Sequence, residues 1–313
     1  MLARLLFLAV VASVSVSVTA CAVEQVPSNA PAKSKKKKSK PTSEAADDDD
    51  DSSADDEDDE DDVTSSTSTT IPSSTTGANA PGAPTAPGAP AIESTKGTGG
   101  ATGFTTLKST GGLSYQINAP ASAGPHGLLV LLHGSTASNY DKFVGMMATV
   151  SQQKNLIPVS VLAPNGQGWN EGDQVAAAKK LEDLIRQDLF PKYDIDLTRV
   201  LFSGQSSGGG FLSSHFIPTF GKGYKGGAFL QCGMAAPRVN FAPDDAMKKN
   251  FRLHFEITTG DTIWPESYQQ ATAAYSSAGI QFTKEDTLPG GHCNFDQQKV
   301  IQDRIDFILG AKE

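Results

Sequence analysis

Five short, nearly unbroken apolar runs dominate this sequence: GLLVLL at 127–132, PVSVLA at 158–163, RVLFSG at 199–204, GGAFLQC at 226–232 and RLHFEITT at 252–259. Strands that alternate apolar with polar residues keep one face wet, whereas runs without alternation suit parallel strands covered on both faces. Helical periodicity fills the intervals. Residues 173–189 bring Leu181, Leu184, Ile185 and Leu189 to one side, and 266–278 and 295–309 also read as helices. Strand and helix in alternation predict an α/β domain: a doubly wound, mostly parallel sheet with helices on both faces. YQINAP at 115–120 is placed as an antiparallel edge strand. Only about eighteen residues separate the fourth run from the fifth, so no large lid domain fits between them.

The first hundred residues have none of this order. One positive charge, Arg4, precedes an apolar stretch at 5–18 that is too short to span a membrane, so residues 1–20 read as a secretory signal. Its end, Val18-Thr19-Ala20-Cys21, resembles the lipobox of bacterial lipoproteins, which implies cleavage before Cys21 and lipidation of that cysteine. Ordinary cleavage near Ala20, leaving Cys21 a plain thiol, is the alternative. Export is expected in both cases, lipid-anchored to a bacterial membrane at the cell surface or periplasmic face in the first and secreted in the second.

Residues 21–103 are expected to be a tether. They hold a lysine cluster (Lys33, 35–38 and Lys40), an acidic block at 47–62, a Ser/Thr stretch and a Pro/Gly/Ala-rich segment. None of these buries enough carbon to offset the entropy of ordering. The lysines are read as a solvated spacer, with attraction to anionic headgroups as the other reading. The acidic block lacks the spacing and glycine of a calcium loop and is assigned no metal site. Seven lysines stand against sixteen acidic residues in this segment, which leaves the folded domain, 104–313, nearly neutral although the whole chain carries −9. No basic face for nucleic acid is expected on it.

FSGQSSGGGF at 202–211 places Gly204-Gln205-Ser206-Ser207-Gly208 where the third apolar run gives way to a helical stretch at 210–216. This is G-x-S-x-G in the strand–turn–helix setting that the motif requires. The turn strains the serine so that its hydroxyl stands clear, and glycines two positions to either side leave room for neighbouring backbone. Ser206 is the candidate nucleophile, because choosing Ser207 would put Gln205 where a glycine is needed. A glycine-rich turn with incidental serines is the plain alternative.

A hydroxyl needs a base to take its proton and a third group to hold that base. In this setting the order along the chain is serine, acid, histidine. Of five histidines, only His292, in LPGGHCNF, follows the fifth run. Asp261, in TTGDTIWP just past that run, is the candidate acid, whereas Asp244 and Asp245 fall in an earlier loop and Glu256 inside a strand. The oxyanion hole is assigned to the backbone N–H groups of Ser207 and of Ser135, with Thr136 the near alternative to Ser135. His133 is expected to brace its loop.

LLHGS, GQSSGGG, GDTIWP and GGHCNF together resemble the α/β-hydrolase fold over 104–313, and more narrowly the secreted carboxylesterases of the polyhydroxybutyrate depolymerase and feruloyl or acetyl xylan esterase group. The resemblance implies a serine carboxylesterase that works through an acyl-enzyme on bulky or polymer-derived esters, with no organic cofactor and no metal. Ser135 departs from the cysteine that depolymerase relatives often carry after the His-Gly pair, and no polymer-binding module is recognisable, which counts against a polyester.

Trp169 and Trp264 fall in loops after strand ends and are candidate platforms for a sugar or aromatic ring, packing into the domain being the equal alternative. Gln205 and Thr136 complete the candidate substrate contacts. Cys232 and Cys293 remain once Cys21 is set aside, and outside the cytoplasm they are a candidate disulfide holding the histidine loop, two free thiols being the alternative. Tannase-type esterases are similar in placing a cysteine beside the histidine, although their partner cysteine adjoins the serine. Two other functions compete: a serine peptidase of the same fold, which usually needs a propeller or cap domain, and a non-catalytic hydrolase-like binding module.

Overall fold

Eight strands form one sheet in the order β1-β2-β4-β3-β5-β6-β7-β8, in a computed structural model that describes residues 93–310. The expected signal peptide, the lipidation site at Cys21 and the tether as far as residue 92 lie outside the described residues. The strands are β1 Gly103–Lys108, β2 Ser114–Ala119, β3 His126–Leu132, β4 Leu156–Val161, β5 Ile195–Gln205, β6 Gly226–Gln231, β7 Phe251–Glu256 and β8 Gln281–Glu285. Pairs β1–β2 and β2–β4 are antiparallel and all other neighbours are parallel. The five apolar runs become β3 to β7, and every residue of β3, β4 and β6 is buried.

Among the described residues eight α-helices accompany the sheet: α1 Phe143–Met146, α2 Ala148–Gln153, α3 Gln174–Asp183, α4 Ser207–Phe211, α5 Ile217–Phe220, α6 Asp245–Asn250, α7 Pro265–Ser277 and α8 Gln297–Ile308. Wider π-type turns extend α3 through Leu184–Leu189 and join α4 to α5 through Leu212–Phe216. Because successive strand residues point to opposite faces, β3 feeds two cores. Leu128, Val130 and Leu132 pack with Leu181, Phe211 and Tyr275 on the side of α3, α4 and α7. Leu129 and Leu131 pack with Phe143, Val150 and Ile301 on the side of α1, α2 and α8. The doubly wound, mostly parallel arrangement expected from the alternation is the one observed, and α6 is the one helix between β6 and β7. Among the described residues no helix is long and apolar enough to cross a membrane.

Three expectations are corrected. The segment at 115–120 is antiparallel but not the edge: β1 pairs outside it, Gly103 opposite Ala119 and Lys108 opposite Ser114. Both strands that hydropathy misses, β1 and β8, are edges. An edge strand is covered on fewer sides and needs few apolar residues, and GFTTLK and QFTKE offer little periodicity.

The boundary at residue 104 also moves back. Ser94 bridges antiparallel to Asp196, Thr95 N–H donates to Ile195 O (3.0 Å), and Leu197 N–H donates to Glu93 O (2.9 Å). The helix expected from 210 starts at Ser207 instead. The strap at 93–102 is held by backbone and hydroxyl hydrogen bonds, including Thr95 Oγ1 to Tyr193 O at 2.6 Å, which leave no hydropathy signal.

Candidate active site

The ends of β3, β5, β6 and β7 stand level, Leu132 beside Gly204, Gly204 beside Leu230 and Leu230 beside Phe255, so the loops that follow them share one rim of the sheet. Ser206 sits there between β5 and α4 with φ 48° and ψ −113°. A side chain in this region of backbone space costs on the order of 1–3 kcal/mol and persists only where its surroundings enforce it. Here a Cβ on Gly204 would lie 2.5 Å from Gly209 N, and one on Gly208 would lie 2.5 Å from Leu132 O. Glycine at both places is therefore what lets strand and helix close on the serine.

The Ser206 hydroxyl donates to His292 Nε2 at 2.9 Å, and His292 Nδ1–H donates to Asp261 Oδ2 at 2.8 Å. Asp261 is buried, at 5% exposure. Its second oxygen accepts the N–H groups of Ile263 (2.8 Å) and Trp264 (3.2 Å). One carboxylate thus holds both the imidazole and its own loop. With Nδ1 committed to the acid, Nε2 is left as the acceptor, which is the tautomer a general base for Ser206 requires. The other carboxylates are occupied elsewhere: Asp244 caps α6, Glu256 meets His254 at 2.9 Å inside the sheet, and Asp245 lies beside Lys248.

The loop carrying His292 is fastened at several points. Gly260 N–H donates to Gly290 O and Thr258 Oγ1 to Gly291 O, both at 2.9 Å. Cys232, directly after β6, forms a disulfide with Cys293, with Cα atoms 5.1 Å apart. The bridge ties the residue beside His292 to the sheet rim. A disulfide offers no thiolate, so the proximity of Cys232, Cys293 and His292 does not make a metal site. Reduction, or Cys232→Ser with Cys293→Ser, is expected to cost about 2–4 kcal/mol of stability and to lower turnover because His292 loses its nearest anchor. Melting curves and activity with and without reductant check this, and unchanged values would refute it.

Ser207 opens α4, and its N–H directly follows the candidate nucleophile. Ser135 lines the same cleft as Ser206. The fully buried His133 sets the orientation there: its Nε2 accepts Ala163 N–H (2.9 Å), so its proton is on Nδ1, which donates to Gly134 O (2.6 Å). With that carbonyl clamped, peptide planarity turns the Ser135 N–H the opposite way. Thr136, at φ 60°, folds its hydroxyl back on Ser135 O and is not among the residues lining the cleft. Gln205 is buried, lines the cleft and accepts from Asn139 Nδ2 at 3.1 Å, coupling the Ser135 loop to the serine turn.

Burial holds the His133 imidazole pKa below its ordinary value, and burial beside Arg238 does the same to His215. The native state then binds fewer protons than the unfolded chain below about pH 6.5, so stability falls as pH drops through that value toward the lowered native pKa. Melting points at pH 7 and pH 5 should show this loss, and it should shrink in His133→Gln. The same substitution is expected to reduce kcat about tenfold or more, with KM little changed, because the Ser135 peptide is no longer held.

Of the candidate platforms, Trp169 is corrected. It is 1% exposed and packs on Phe211 at 4.9 Å and His133 at 6.0 Å between ring centroids, a core residue under the Ser135 loop. Trp264 does line the cleft but is half-buried, its ring lying over α4 where a Cβ on Gly210 would come within 2.6 Å. Ser138, Asn170 and Ile263 also line the cleft and are not evident from sequence. Only Ile263 left a trace, as an apolar residue two positions beyond the acid. The cleft is an open hollow of about 380 Å³ with Ser206 and His292 in its wall.

No protein-family model matches the sequence, and none of the curated proteins compared with it does either. Among solved structures the chain is similar to a carboxylesterase from Mesorhizobium loti, with 15% identity and a TM-score of 0.54 over 66% of this chain and 99% of that one. It is also similar to the Bacillus cereus carboxylesterase (16% identity, TM-score 0.51, 64% and 95% covered) and to an arylesterase (12%, 0.50, 70% and 89%). Identities this low speak for the fold alone. The described domain has the α/β-hydrolase fold.

Proposed function

We propose that this protein is a serine carboxylesterase acting through an acyl-enzyme. The observation that carries the reading is the line from Ser206 Oγ through His292 to Asp261, with the serine on a strained turn at the rim of the sheet. His292 Nε2 takes the hydroxyl proton as Ser206 Oγ bonds to the ester carbonyl carbon. The negative charge formed on the carbonyl oxygen is met by the N–H groups of Ser207 and Ser135. His292 returns the proton to the departing alcohol, and water then repeats the sequence on the acyl-serine. Neither a metal nor an organic cofactor enters these steps.

The openness of the cleft, with only α6 between β6 and β7, supports bulky or polymer-derived esters such as those of acetylated or feruloylated polysaccharides or of hydroxyalkanoates. With Trp169 buried, Trp264 is the one of the two candidate platforms that lines the cleft, and this part of the reading rests mainly on openness. Export, and lipid anchoring at Cys21, complete the proposal on the strength of residues 1–21. A fluorophosphonate label should attach at Ser206, and a panel of nitrophenyl, feruloyl, acetyl-sugar and hydroxybutyrate esters should reveal turnover. Equal labelling of wild type and Ser206→Ala would end the assignment.

A further inference from the structure

An exposed aliphatic side chain ordinarily signifies nothing, because apolar atoms make up more than half of any protein surface. Ile263 departs from that background in where it stands and how it is held. Among the described residues the large hydrophobic side chains left exposed are Phe104, Val175, Ile263 and Leu288, and of these only Ile263 lines the cleft with Ser206. It is 62% exposed, yet its N–H is bonded at 2.8 Å to the Asp261 carboxylate that also holds His292. The next residue, Trp264, donates to the same oxygen, and Pro265 then starts α7. The backbone of Ile263 is therefore tied to the carboxylate that holds the candidate base, and its apolar side chain is presented at the cleft.

The rest of the cleft is uncharged. Ser138, Asn170 and Gln205 supply polar atoms, the half-buried Trp264 and the disulfide-bonded Cys293 supply further surface, and His292 is the one titratable side chain among the described lining residues. A carboxylate or ammonium carried close to the ester would give up part of its hydration against this lining and meet no opposite charge there. An alkyl or aryl group would remove water from Ile263 at no such cost.

Resting on the esterase reading, we infer that Ile263 is the specificity-determining contact for an apolar substituent of the ester, and that the cleft selects esters uncharged next to the scissile bond. Whether that substituent is on the acyl or the alcohol side is decided by the experiment. Two series are compared by proton release, methyl alkanoates of rising acyl length and alkyl acetates of rising alcohol length, with active sites counted by fluorophosphonate titration. Wild type should show kcat/KM rising with chain length in one series, and Ile263→Ser should flatten that rise, the loss growing to about tenfold at six carbons.

In the charge arm, methyl hydrogen succinate should be a poorer substrate than methyl butyrate for wild type by about tenfold or more, and Ile263→Lys should narrow the gap by improving turnover of the anionic ester. A gain of that kind cannot come from damage to the fold. Turnover with the same slopes in wild type and Ile263→Ser, or no gain on the anion in Ile263→Lys, overturns the inference while leaving the esterase reading intact. Absence of turnover on every ester by wild type overturns both.

Discussion

Ser206→Ala is expected to lower kcat by about 10⁴-fold or more while the protein remains folded. The Ser206 hydroxyl makes its hydrogen bond to His292 Nε2, and its removal takes away the bond-forming atom without opening a core cavity. Ester turnover and fluorophosphonate labelling should vanish together. Ser206→Gly gives a second measurement on the same position. Glycine adopts φ 48°, ψ −113° without a Cβ penalty, so this variant should melt above Ser206→Ala, by about 1 kcal/mol or more, while being equally inactive. Equal melting of the two would mean that the turn is not strained. Retained turnover in either variant would remove Ser206 from the chemistry.

Gly233→Ala is expected to have the largest effect on folding, above about 4 kcal/mol. A Cβ built there would stand 1.9 Å from Ser206 O, 2.4 Å from its carbonyl carbon and 2.5 Å from its Cα. All three are backbone atoms, so no rotamer change relieves the overlap. Gly209 meets the same segment from the other side, its own Cβ position lying 2.1 Å from Gly233 O. Either the turn is displaced and activity is lost, or the domain fails to accumulate. Gly145→Ala is the control: its Cβ meets nothing within 4 Å and it lies inside α1, so stability should hold or rise by roughly 0.5–1 kcal/mol. Denaturant titration of the two variants separates a general cost of methylation from one specific to the turn.

The interior strands and the chemistry-bearing residues were legible because each leaves a local mark. β3, β4 and β6 are buried along their whole length, and that requirement appears in the sequence as short apolar runs, whereas β7 alternates Leu253 and Phe255 with the buried polar His254 and Glu256. Ser206 is marked by its flanking glycines, which steric contact demands, and His292 and Asp261 by chain order. Burial of Trp169 and exposure of Ile263 leave no comparable mark. Both lie in loops after strand ends, and whether a loop side chain turns inward depends on what packs beneath it, here Phe211 and His133 under Trp169. The edge strands and the strap at 93–102 escaped because hydrogen bonding to a neighbour asks little of side-chain polarity.

The alternation of buried strand and amphipathic helix, the serine turn, and the order in which nucleophile, acid and base occur are all written into the chain locally. These follow from neighbours within a few residues, whose periodicity and bulk dictate local conformation. Folding in three dimensions is what brings side chains 86 and 31 positions apart to 2.9 and 2.8 Å, pairs Cys232 with Cys293, and selects the loop residues that face the cleft. Those outcomes depend on the register of parallel strands and on loops crossing one rim, long-range contacts that no short stretch of the chain specifies.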